Sequence, residues 1–188
     1  IAADVELERS LRTSATGTTR HASAKNVPVI DLNQHDAAEA MWAAATSVGF
    51  FTVTNHGVPD ELIESAFASS KQFFARDLDA KQRESPFAPQ LNSGFEYFSQ
   101  IRPSTGTADQ KESLQITARA GAMDGRWPSE PETLQPVARA MMEASRALAA
   151  RILDMLEPRA CPNLERGTLQ KSHTLWGPGG QCTLRLLH

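Results

Sequence analysis

The stretch Gly49-Phe50-Phe51-Thr52-Val53-Thr54-Asn55-His56-Gly57-Val58-Pro59 limits the folds open to this chain more than any other. Phe51, Val53 and Asn55 alternate with Thr52, Thr54 and His56, the period of two that marks a half-buried strand. Gly49 stops a helix before it, and Asn55-His56-Gly57 with Pro59 turns the chain into a helix after it. Alone it is a strand between two helices, and nothing more. The run from Ala40 to Pro59 has no charged residue and the length of a membrane span. It also contains Gly49, Asn55, His56, several threonines and a switch from helix to strand, which rejects that reading.

The rest of the chain extends the pattern. Ile1 to Asn26 is rich in Ser, Thr and Ala, with weak periodicity, and reads as a flexible arm with a short amphipathic turn near Val5 to Leu11. Ile1 in place of Met suggests that some true N-terminus lies upstream. Val27 to Leu32 is a short β-rich run. Asp36 and Glu39 have capping-box spacing for a helix from Ala37 to Val48, with Ala37, Ala40, Met41, Ala44, Ala45 and Val48 on its apolar face. The helix after the strand opens on Asp60 and Glu61 and carries Leu62, Ala66, Phe67, Phe73 and Phe74 on one side. A brief helix follows over Asp79 to Glu84. Gly94 to Phe98 and Glu112 to Thr117 read as strands flanking a loop through Pro103 and Gly106. The longest helix is predicted over Thr133 to Glu157, with Val137, Met141, Ala144, Leu148, Ile152 and Met155 as its seam, ended by Pro158 and Pro162. A Gly-rich loop from Trp176 to Gly180 then delivers a last strand, Cys182 to Leu187.

Charge and cysteine usage narrow the partners. A net charge of −3 gives no reason to expect nucleic acid or an anionic membrane. Cys161 and Cys182 stand far apart with no CxxC pairing, which suits a reducing, cytoplasmic setting rather than a disulfide framework or zinc finger. Gly177 to Gly180 lacks the Lys-Ser/Thr of a phosphate loop.

Three blocks in order carry a resemblance: Val27-Pro28-Val29-Ile30-Asp31-Leu32, then the Gly49 to Pro59 stretch, then Lys71-Gln72-Phe73-Phe74 leading to Asp79-Ala80-Lys81. Together they resemble the N-terminal region of the isopenicillin-N-synthase-like family of iron(II)/2-oxoglutarate-dependent oxygenases. The resemblance covers roughly Val27 to His188. It implies an α+β fold: an N-terminal helical and strand region over 27–160, then the start of a double-stranded β-helix (jelly-roll) core over 161–188, most of which is absent from these residues. It also implies that the strands near Val29 to Leu32 and Phe50 to Thr54 pair with the jelly-roll sheet. The activity implied is a dioxygenase of secondary metabolism that uses Fe(II), 2-oxoglutarate and O2 to hydroxylate, desaturate or ring-close a small molecule. A non-enzymatic homologue serving as a binding module is the alternative.

Facial iron ligation needs two imidazoles and a carboxylate, and the family sets them as His-x-Asp plus a distant His. None of His21, His35, His56, His173 and His188 has Asp or Glu two residues on. No metal ligand or catalytic residue is therefore assigned, and the ligands are expected downstream of His188. The family's Arg-x-Ser cosubstrate grip occurs three times, at Arg12-Thr13-Ser14, Arg83-Glu84-Ser85 and Arg102-Pro103-Ser104, all in unsuitable loops. By resemblance, Arg185 falls on a substrate-facing Lys and His188 on a Tyr of the strand that approaches the cosubstrate, so His188 is the candidate cofactor contact. Leu187 departs from that strand's Asn. Ser113 and Gln115, which share a strand face, match pocket-lining positions. The plainer readings stay open: Ser113 and Gln115 as a polar sheet face, Arg185 as a structural cation, His56 as a turn residue bonded to backbone, His173 as a surface residue. Trp42, Trp127 and the Phe73-Phe74 pair are expected in the core or its contacts.

Overall fold

The computed structural model describes residues 27–99, 101, 106–108, 110–176, 179–180 and 182–188. The arm expected over 1–26 lies outside the described residues, as do parts of the loops through Pro103 and after Trp176.

Strand β1 (Val29–Asp31), helix α1 (Ala37–Ser47) and strand β2 (Thr52–Thr54) form a β-α-β unit in which the two strands pair in parallel, Ile30 opposite Val53. Ala37, Met41 and Ala44 recur at helical spacing and are the buried stripe of α1. The helix ends where the N–H groups of Val48 and Gly49 both reach the Ala44 carbonyl, with Gly49 at φ +84°. The expected capping box does not form: the Asp36 side chain caps nothing, and Glu39 pairs with Arg159 instead. Among the described residues β1 and β2 pair only with each other.

Two of the recognised blocks meet here through hydrogen bonds. Asp31 Oδ1 accepts from the Asn33 N–H at 2.9 Å and from Asn55 Nδ2 at 2.7 Å. Those donors, the Asn33 amide foremost and then Asn55, hold the Asp31 carboxyl below its ordinary range. Asn55 sits at φ +53°, a conformation that Asn tolerates better than most residues. His56 Nδ1 accepts the Val58 N–H at 3.1 Å, so this histidine closes its own turn.

Helix α2 (Asp60–Phe74) turns a stripe through Leu62, Ala66, Ser69 and Phe73 inward; Ser69 and Phe73 are buried. Phe67, expected on that side, is 75% exposed, because one residue past Ala66 is a rotation of about 100°. Helix α3 (Leu78–Glu84) follows. Its last residue, Glu84, accepts from Arg76 Nη2 at 2.7 Å and from the Ser129 N–H and hydroxyl at 2.9 and 2.8 Å. Arg76 first, and Ser129 after it, bring the Glu84 pKa down from 4.5 to about 2. A folded-state pKa below the unfolded one means stability that is present above about pH 4.5 and lost as pH falls towards 2. Glu84→Gln is expected to lower stability at neutral pH by about 1–2 kcal/mol and to flatten the acid dependence. Urea midpoints measured across pH 5 to pH 2.5 check this; parallel slopes for the two proteins would contradict it.

The second sheet is antiparallel, in the order β3 (Gly94–Tyr97), β4 (Glu112–Thr117), β5 (Thr183–Leu187). Helix α4 (Leu134–Ala160) backs both layers. Its first half packs Leu134, Ala138 and Met142 against Phe73, Phe74, Phe95, Leu114 and Ile116. Its second half sets Leu148, Ile152, Met155 and Leu156 against Ile30, Leu32, Met41 and their neighbours. The helix runs through Pro158 rather than ending there, and the expected seam residues are half-buried while Leu134, Ala138 and Glu157 are buried. Arg151 extends from it to the Leu32 and Asn55 carbonyls at 2.7 and 3.2 Å. Buried Glu157 accepts the N–H groups of Leu169 and Gly167 at 2.8 and 2.6 Å, which lowers its pKa and fastens the returning chain at α5 (Thr168–Ser172).

Candidate functional site

Strand β4 is buried along its whole length, yet its two faces differ in chemistry. Leu114 and Ile116 face the first core with Phe95, Leu184 and Leu186. Ser113, Gln115 and Thr117 occupy the other face by alternation. The register places Gln115 opposite Arg185 on one side and Gly94 on the other, with Ser113 opposite Glu96 and Leu187. One sheet face thus collects Glu96, Ser113, Gln115 and Arg185.

Gln115 links that group. Its Oε1 accepts from Arg185 Nε and Nη2 at 3.0 and 2.7 Å, and its Nε2 donates to Glu96 Oε2. Arg can only donate and an ionised Glu can only accept, so a single amide orientation satisfies both partners. Ser99 adds a hydrogen bond to Glu96 at 2.9 Å. Arg185 has no carboxylate at ion-pair distance among the described residues, and its outward N–H donors remain for another acceptor. The structure therefore brings Ser113, Gln115 and Arg185 together. Glu96 was missed in the sequence, although alternation within Gly94-Phe95-Glu96-Tyr97 separates it from Phe95 and Tyr97.

His188 lies elsewhere. Three residues beyond Arg185, it comes out on the opposite face, its ring stacked on Phe74 at 5.4 Å and its Nδ1 3.0 Å from Glu112 Oε1. The other Glu112 oxygen takes Lys81 Nζ at 2.6 Å, and the same ammonium reaches the Phe74 carbonyl at 2.8 Å. Phe74, Lys81 and Glu112 thus form a buried latch between α2, α3 and the sheet, with the exposed His188 ring laid over it.

Among the described residues no three His, Cys, Asp or Glu group closely enough to hold a metal ion. The described residues therefore do not fit the iron of the family, and no step is derived through it. Arg83-Glu84-Ser85 is no cosubstrate grip: Arg83 is exposed, Glu84 is engaged with Arg76 and Ser129, and Ser85 is fully enclosed. The other two Arg-x-Ser sequences lie outside the described residues. No helix among the described residues is long and apolar enough to cross a membrane.

Comparison with known proteins agrees with this architecture. Residues 27–137 match the family model described as non-haem dioxygenase in morphine synthesis N-terminal. The chain is 30% identical over 156 residues to the 2-oxoglutarate-Fe(II) type oxidoreductase hxnY of Emericella nidulans, a match spanning 74% of this chain and 43% of that protein. It is 27% identical over 171 residues to leucoanthocyanidin dioxygenase of Perilla frutescens, covering 77% of this chain and 42% of the relative. The chain thus spans less than half the length of these two relatives. Among solved structures, JOX2 in complex with 2OG, Fe and JA superposes with a TM-score of 0.65 at 24% identity, over 86% of this chain and 46% of that one. With the family model matched over more than half of its residues and the fold shared with a solved relative, this chain belongs to the non-haem dioxygenase N-terminal family, within the 2-oxoglutarate-Fe(II) oxygenases.

Proposed function

We propose that the protein built on this chain is an Fe(II)- and 2-oxoglutarate-dependent dioxygenase. It couples oxidative decarboxylation of 2-oxoglutarate by O2 to hydroxylation, desaturation or ring formation on a small molecule of secondary metabolism. The observation that carries this reading is the Glu96–Gln115–Arg185 chain across one face of β3, β4 and β5, inside the oxygenase fold. A buried amide fixed in one orientation beside a cation without an ion pair is a ready recognition surface for a polar small molecule. Ser113, Gln115 and Arg185 are its substrate contacts. His188, expected as the cosubstrate contact, is not part of this wall, because it stands on the opposite sheet face with Nδ1 against Glu112. Residues 27–160 are the N-terminal region and 161–188 the opening of the jelly-roll core, whose first strand, β5, continues the sheet of β3 and β4. Two cysteines without a disulfide support a cytoplasmic setting.

The test is turnover by the full-length protein. Succinate formation that requires 2-oxoglutarate and Fe(II), and stops on chelation, is the expected result. Its absence from an iron-supplemented sample would leave a non-catalytic binding module. In the active enzyme, Arg185→Ala and Gln115→Ala are each expected to raise substrate KM by about tenfold while altering uncoupled 2-oxoglutarate turnover little. An unchanged KM in both would remove these side chains from the substrate wall.

A further inference from the structure

A cavity of about 370 Å³ opens beyond the far end of β4, between the Ala118–Trp127 reversal, the first half of α4 and the approach to β5. Its size lies within the range of roughly 300–1,000 Å³ usual for small-molecule sites. Ile116, Met123 and Met142 make its floor apolar, and Trp127 and Trp176 stand in its wall. Ile116 alternates with Gln115 along the strand, so this floor belongs to the opposite sheet face from the Gln115–Arg185 pair.

The charges around the cavity are unequal. Arg119, Arg139 and Arg146 line it against Asp124 and Glu143. Arg146 and Glu143 lie 3.8 Å apart and largely cancel. That leaves Arg119 and Arg139 against Asp124, an excess of one positive charge. Arg139 has no carboxylate partner among the described residues; its guanidinium rests 5.5 Å from the centre of the Trp127 ring. A guanidinium held by an aromatic face loses much of its rotamer freedom before a ligand arrives. Its N–H donors lie in its own plane and stay free for a bidentate acceptor.

We propose that this cavity is a second small-molecule site, separate from the substrate wall, which takes a planar aromatic monocarboxylate. Arg139 binds the carboxylate with Arg119 beside it, and the ring lies against Trp127 over the apolar floor. A dicarboxylate is disfavoured by Asp124, and a neutral ring forfeits the guanidinium.

The probe is 2-naphthoate, with 2-naphthamide as the neutral isostere, titrated into full-length protein carrying ¹⁵N-labelled tryptophan. The three tryptophans of these residues include an internal control, since Trp42 lies in α1 away from the cavity. Saturable shifts of the Trp127 and Trp176 indole signals are expected, with the Trp42 signal still. The acid should bind at least about tenfold more tightly than the amide, and Arg139→Gln should erase that difference. Arg139 is exposed, so a folded variant is expected, and its spectrum reports that directly. Gln115→Ala and Arg185→Ala should leave naphthoate affinity unchanged. No saturable shift, equal affinity for acid and amide, an Arg139→Gln variant that binds like wild type, or loss of binding in Arg185→Ala would each overturn the proposal. The last would place the acid on the substrate wall instead. Because the readout is binding, it is independent of whether the protein turns over 2-oxoglutarate.

Discussion

Lys81→Ala is expected to lower the unfolding free energy by about 3–5 kcal/mol, the range for leaving one charge of a buried ion pair without its partner. Lys81 is 4% exposed and Glu112 8%, so neither charge is well hydrated. The ammonium is held by Glu112 Oε2, by the Phe74 carbonyl, and by the Phe95 ring, 5.2 Å from Nζ. Truncation leaves Glu112 with His188 alone and the Phe74 carbonyl without a side-chain donor. It also opens a gap beside two aromatic rings. Replacing both partners together removes the stranded charge, so Lys81→Met combined with Glu112→Leu should recover most of the loss. Urea denaturation of the single and double variants measures the coupling. A Lys81→Ala protein within about 1 kcal/mol of wild type would mean that water already reaches this pair.

Gly94→Ala should be more damaging still. Gly94 opens β3 opposite Gln115, at φ +104°, where L side chains are rarely found. A Cβ built there would stand 2.8 Å from the Pro86 carbonyl carbon and 2.9 Å from the Phe87 Cα. Both are backbone atoms, and the Phe95 N–H to Ser85 O hydrogen bond at 2.7 Å holds the two segments together. A strained φ alone costs about 1–3 kcal/mol, and the clash can be relieved only by parting the chains. The expected outcome is insoluble protein, or a melting temperature lower by at least about 10 °C. Gly57→Ala serves as the comparison: it has φ +81° and nothing within 4 Å of its added Cβ, so it carries the strain without the clash. Equal losses from the two substitutions would show that the contact with Pro86 and Phe87 does not matter.

The parts of this fold that were legible in sequence are those set by neighbours along the chain. Gly49 ends α1 and His56 closes its own turn because both act within a few residues. The alternation of β4 places Ser113 and Gln115 together without knowledge of any partner strand. The Asp31–Asn55 bond explains why two separated blocks occur together: each supplies half of one interaction. What could not be read depends on pairings distant in sequence. Glu39 had the right spacing for a cap, but Arg159 offered a better partner 120 residues later. Phe67 looked like core because it is apolar, whereas the packing of α2 on α4 had already settled which stripe faces inward. Glu96 and Lys81 are ordinary surface residues by composition; only the register of β3 on β4 and the return of α3 to the sheet give them carboxamide and carboxylate partners. Glu157 likewise needs a chain that comes back from Gly167.

The placement of α4 has a consequence for how the molecule loosens. Its N-terminal half is sealed by the aromatic core and its C-terminal half by the smaller cluster around Met41, and Glu143, Arg146 and Ala147 between them are exposed. Among the described residues the smaller cluster has only five buried members, Ile30, Leu32, Ala37, Met41 and Ala44, beside a sheet of two three-residue strands, and Arg151 is a main polar tie from its strand ends to the helix. Cooperative opening follows buried apolar contact, so residues 27–59 are expected to form the weaker foldon and the β3–β5 sheet with α2 the stronger one. Amide protons of β1 and β2 then exchange through a partial unfolding that leaves those of β4 protected. The family's most recognisable stretch is thus expected to open before the β3–β5 sheet does.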